Sequence, residues 1–408
     1  MRPLTRPAVS AAILALLVSL VPVLPASAAL PSPPAGGVEL SAVQFTDATH
    51  GWAVGGFQSA GQDYAVVERT TDGGVTWTRS TVLGQPTSHK FHSISMTGNT
   101  VGYAADDASW NRVFKTTDGG VTWSPLVLTT DFLDPNNVLA SVRFFDATHG
   151  YAAGRNLGNK NGVVWATSDG GTTWTRAYQG PQTFTAEGFP TGDNQFRAVS
   201  GPSPSSAVVV GVDLASATTG TGTAYRYAGS AWATQTVPAG ATLESVSYPD
   251  PTHALAVGAG ARAVKFDGSS WTAVPTGLTA AYDLEDVALV DPTHGWAVGS
   301  GGSIRFWNGS SFAGQTSGTA VRLRGVWFTD ASKGWAVGDN DVVLKTIDGG
   351  AHWTLRSTPV KTYENIEGPA GGTRFDTAIA AVEKAFPAGS GTVVLAWGRN
   401  FPDALGAS

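Results

Sequence analysis

Two short motifs alternate along the chain, and this repetition constrains the fold more than any other feature. One reads TTDGGVTW at residues 70–77 and again at 116–123, TSDGGTTW at 167–174 and TIDGGAHW at 346–353. The other precedes it: FTDATHGWAVG from Phe45, FFDATHGYAAG from Phe144, YPDPTHALAVG from Tyr248, LVDPTHGWAVG from Leu289 and FTDASKGWAVG from Phe328. Weaker copies start at Met96 and Pro202. The residue after the turn falls at Trp52, Tyr103, Tyr151, Val208, Leu255, Trp296 and Trp335, in steps of 51, 48, 57, 47, 41 and 39. Seven units of that length predict an all-β fold, a seven-bladed propeller with one four-stranded sheet per blade. In the first unit, strands are expected at residues 42–45, 52–55, 64–70 and 77–81, with DATHG as the first turn.

The pattern S/T-x-D-G-G-x-x-W resembles the Asp-box of bacterial neuraminidase-type repeats, which sits on the hairpin joining third and fourth strands. A carboxylate there can accept N–H groups of its own turn while the tryptophan covers the hairpin from outside. Four copies on separate blades cannot converge on one substrate. Asp72, Trp77, Asp118, Trp123, Asp169, Trp174, Asp348 and Trp353 are therefore expected to be architectural, as are Asp267 and Trp271 of a shortened copy. The copies at 227–232, 266–271 and 307–312 are one residue shorter, so the ring should divide into four regular blades and three with tighter turns. His50, His149, His253 and His294 occupy one turn position in four blades, too far apart for a shared metal. No metal or cofactor is expected.

Only 14% of the residues are charged, against about 25% in ordinary domains, and 51 glycines fit many tight turns. The net charge of −6 offers no basic stripe, so nucleic acid is not an expected partner. Residues 1–28 place Arg2 and Arg6 before an apolar run ending in Ala26-Ser27-Ala28, the pattern of a cleaved secretory signal. No later run is long enough to form a transmembrane helix. The chain has no cysteine, so the exported fold must hold without disulfides. Residues 29–359 are expected to form the propeller. Insertions at 125–141, with Asp131, Phe132, Asp134 and Asn136, and at 179–197, with Phe184, Phe189 and Phe196, read as loops displayed on it.

Residues 360–408 change character: an amphipathic stretch at 374–386 precedes an apolar strand at 393–397. Gly371 or Gly372 through Ala378, and Val393 through Leu405, resemble the two motifs of the cell-wall-binding repeat 2 family. That resemblance implies attachment to an anionic cell-wall polymer of a Gram-positive bacterium, with Arg374, Phe375, Asp376, Asn400, Phe401 and Asp403 as the corresponding ligand-binding positions. The chain stops inside the first copy, where tandem copies are the family's pattern, and reads as a fragment of a longer protein.

The paired GWAVG and TTDGGxTW motifs resemble those of the photosystem II stability and assembly factor family, which implies a propeller that binds protein or glycan. The expected function is thus a secreted, wall-associated, non-enzymatic binding protein. Two alternatives stay open. Asp-boxes also occur in sialidases and some endoglucanases, although the Arg-Ile-Pro segment typical of sialidases is absent. An extracytoplasmic assembly factor for membrane proteins would be favoured by a basic patch such as Arg305, Arg322 and Arg324.

Overall fold

The computed structural model describes residues 37–83, 90–106, 112–126, 134, 136–180, 194–214, 221–238, 240 and 242–355. The expected signal peptide and the wall module, with Arg374, Phe375, Asp376, Asn400, Phe401 and Asp403, lie outside the described residues. So do Asp131, Phe132, Phe184 and Phe189.

Seven antiparallel sheets follow one another along the chain, each built from four consecutive strands. Their innermost strands are Glu39–Phe45, Phe91–Met96, Asn137–Phe144, Asn194–Ser203, Leu243–Asp250, Leu284–Asp291 and Leu323–Phe328. Blade 2 gains a fifth strand from the end of blade 1, because Thr81–Val82 pairs in parallel with Thr122–Pro125. One short 3₁₀ turn, Ser300–Gly302, is the helical element among the described residues.

The buried apolar residues form layers between neighbouring blades rather than one central core. Phe45, Val66 and Trp335 lie in a layer shared by blades 1 and 7, and Val54, Phe91 and Trp123 in one shared by blades 1 and 2. Five further layers join the remaining neighbours. An open arc of seven sheets would have six such interfaces, so the seventh closes the ring. Closure uses side chains and one loop contact, with Asp341 N donating to Val38 O at 2.9 Å. Among the described residues no strand is exchanged between blades 1 and 7.

The two sequence motifs meet across blade boundaries. Trp335 of blade 7 stacks on Phe45 of blade 1 at 3.5 Å between ring centroids, and its Nε1 donates to Gly73 O at 3.1 Å. Trp296 repeats both contacts on Phe328 and Gly349 O, while Trp52 donates to Gly119 O. Tyr103 stacks on Phe144 at 3.4 Å and donates its hydroxyl to Ala147 O. Each aromatic that follows a DATHG-type turn is thus a staple onto the next blade. The Asp-box tryptophans complete it from the side: Trp77, Trp174 and Trp353 pack edge-on against Phe45, Phe144 and Phe328. Trp123 and Trp174 are buried, so they belong to the inter-blade layers instead of lying over the hairpins from outside.

The insertion read at 179–197 also differs from expectation. Phe196 is not displayed on a loop; it is buried in the innermost strand of blade 4, packed against Tyr225. Asp134 and Asn136 are held beside the blade, where Asp134 accepts from Asn136 N and Asn156 Nδ2.

Candidate functional site

The seven innermost strands surround a channel of about 880 Å³. Every one of them carries a β-bulge at the same place, between Leu40 and Ala42 in blade 1 and between Leu323 and Gly325 in blade 7. A bulge re-aims one side chain. Here the extra residue is Ser41, His92, Ala140, Arg197, Glu244, Glu285 or Arg324, and all seven line the channel. Blades 4 to 7 therefore contribute the charge sequence plus, minus, minus, plus.

Those charges are tied. Arg197 faces Glu244 at 3.8 Å, Glu285 pairs with Arg322, and Arg324 pairs with Asp339. Burial pushes the Glu285 carboxyl up, and Arg322 opposes that shift. Arg305, with Arg322 and Arg324 the third member of the expected basic patch, donates to Gly277 O. Two of the three arginines are thus paired with acids, and Arg305 meets a backbone carbonyl.

Below the bulges, side chains of one inner strand hold the backbone of the next. Ser93 Oγ accepts from Val142 N at 3.1 Å, and Ser141 Oγ accepts from Val199 N. Asp286 has the corresponding place in blade 6. Its carboxylate accepts from Ser245 Oγ at 2.6 Å, Val287 N at 2.9 Å and Val326 N at 2.9 Å, linking blades 5, 6 and 7. Burial raises its pKa to about 6, although the three hydrogen bonds pull the other way. A further layer of links lies deeper: Gln44 to Met96, Ser95 to Phe144, Ser200 to Tyr248 and Ser247 to Leu289.

The recurring acids sit on the rim beyond this layer. Asp72 Oδ1 accepts from Thr70 Oγ1, Val75 N and Thr76 N, and Oδ2 accepts from Thr76 Oγ1 at 2.6 Å. Partial burial opposes ionisation, yet these donors hold its carboxyl below the usual range. Asp118 and Asp169 keep the same contacts with Thr122 and Thr173, and Asp348 bonds His352 in that place. In these boxes both glycines take positive φ, as at Gly73 and Gly74, whereas the shortened copy has Gly268 alone. There Asp267 accepts from Ser269 N and Ser270 N. The Asx-type bonds take up the carboxylate in either turn length.

The DATHG acids behave alike. Asp47 accepts from Thr49 N and His50 N and bonds His50 Nδ1 at 2.8 Å, and Thr49 is the leading cause of its strongly lowered pKa. His149, His253 and His294 likewise contact Asp146, Asp250 and Asp291 of their own turns. Among the described residues no group of three or more His, Asp or Glu is arranged to hold a metal ion, and no helix is long and apolar enough to cross a membrane.

These features agree with comparisons to known proteins. Residues 37–179 match the family described as photosynthesis system II assembly factor YCF48. A solved YCF48 bound to a D1 peptide superposes with a TM-score of 0.57 at 18% identity, covering 78% of this chain and 94% of that one. YCF48 from Cyanidioschyzon merolae gives 0.55 at 17% identity, over 77% of this chain and 97% of the other. The GH74 xyloglucanase from Xanthomonas campestris gives 0.56 at 13%, over 79% of this chain but 55% of its own. No curated protein matches the sequence. At these identities the structural likeness speaks for the fold, and the chain is a seven-bladed propeller with BNR-type repeats that resembles the YCF48 assembly factors.

Proposed function

We propose that the chain is a secreted, cell-wall-associated binding protein without catalytic activity, in which the propeller is a docking scaffold and residues 360–408 begin a wall anchor. The observation that carries the scaffold reading is the engagement of its acids. The Asp-box carboxylates are taken up by their own turns, and Glu244 and Glu285 each face an arginine. What remains to offer a partner is shaped surface on a rigid ring. The peptide held by the YCF48 structure supports a protein partner; a carbohydrate is the other class such a surface suits.

The anchor reading is tested by sedimenting the full chain with purified Gram-positive walls, before and after the anionic polymers are stripped. Retention should be saturable and should fall at least tenfold on stripped walls, and a variant ending at Val360 should stay in the supernatant. Equal retention on both wall preparations would remove the anchor from this reading.

A second reading, glycoside hydrolysis, is favoured by one feature: Glu285 has a raised pKa beside a like charge, Glu244, on the next blade. Such a pair suits general acid chemistry. Arg322 and Arg197 held against these carboxylates argue for the binding role instead.

A further inference from the structure

The deeper layer of the channel has one position per blade whose usual work is to fasten a neighbour. Gln44, Ser95, Ser200 and Ser247 do this, each accepting a backbone N–H from the next inner strand. In blade 3 the same position holds Arg143, and it makes no such bond. Its Nε has neither solvent contact nor an acceptor, and the guanidinium meets no carboxylate among the described residues. Its guanidinium lies 5.9 Å from the centroid of the Phe145 ring.

This arginine differs from the other channel cations. Arg197 and Arg324 face acids, whereas Arg143 is half-buried without one, and burial alone lowers its pKa. A guanidinium does not shed its proton at ordinary pH, so it must find a counter-anion or bear the desolvation cost. A channel of about 880 Å³ falls within the range of about 300–1,000 Å³ usual for small-ligand sites.

We propose that the turn-side half of the channel is a binding site for a small oxyanion, a carboxylate or phosphate group held by Arg143. Arg143 supplies charge and a planar fork of N–H groups suited to two oxygens. The site is independent of whether the outer surface docks a protein or a glycan.

Isothermal titration calorimetry of the full chain with sodium acetate and with inorganic phosphate, at fixed ionic strength set by chloride, tests this. Saturable binding of at least one of them, one per chain, is expected, and the stronger of the two identifies the group. Arg143→Met should weaken it at least tenfold, and Arg305→Gln should leave it unchanged. Without anion, Arg143→Met should melt no lower than the parent, since it removes an uncompensated charge. If that variant does not fold, Arg143 has a structural role and the proposal fails. Absence of binding by the parent, or equal binding by Arg143→Met, would also overturn it.

Discussion

Replacing Trp335 by alanine will lower the stability of the propeller by about 4 kcal/mol, the range for deleting a fully buried tryptophan. The side chain has no exposed surface, stacks on Phe45, and donates to Gly73 O across the junction of the last blade with the first. Trp335→Phe keeps part of the stacking but loses the N–H and one ring of the indole, so it should cost about 2 kcal/mol, less than the alanine variant. A double-mutant cycle with Phe45→Ala should return a coupling of about 1 kcal/mol, in line with aromatic pairs. Denaturant titration of the four proteins measures all three. If Trp335→Ala melts like the parent, the ring is not closed by this staple.

The second large effect concerns Asp286. Asp286→Ala leaves Val287 N and Val326 N without acceptors in the strands lining the channel, which should cost about 3 kcal/mol. The pH dependence has a definite sign. The carboxyl has a folded pKa of about 6, above its unfolded value, so its contribution is fully present below the unfolded value and is lost as pH rises through about 6. Glu285 and Asp341, also raised by burial, act in the same direction. The turn carboxylates Asp47, Asp146 and Asp330 have lowered values, so their stabilisation is present above the ordinary carboxylate range and is lost on acidification below it. Thermal stability should therefore peak near pH 5 and decline toward pH 7, and Asp286→Asn should flatten that decline. A parent melting temperature that rises steadily from pH 5 to 7 would contradict the assignment.

How far the sequence discloses this molecule depends on the distance over which each contact acts. Turns, strand order and blade number are local, and the repeated DATHG and DGG motifs declare them. The staples are not local: Trp52 reaches Gly119, 67 residues away, and Trp335 reaches Gly73 across 262. The repeats reveal that both partners exist, but not that they belong to different blades. The bulges did leave a signal. Leu40, Val43 and Phe45 are all buried, a spacing of three and then two where a regular strand alternates strictly by two. Leu139, Val142 and Phe144 repeat it. Phe196 is the equivalent of Leu40, and that spacing, continued by Val199, would have placed it in a strand. Arg143 and Asp286 were legible only as departures at two positions of the inner strand, the first Gln or Ser in four other blades and the second Ser in three, and those positions have a meaning only once the inner strands are side by side.

The binding role is tested most directly by incubating the full chain with a panel of wall and plant glycans and measuring bound polysaccharide and newly released reducing ends in the same reaction. The account predicts no release of reducing ends above a boiled control, whether or not a glycan is retained. Release that disappears in Glu285→Gln while the protein stays folded would contradict it and make the channel mouth a hydrolytic site.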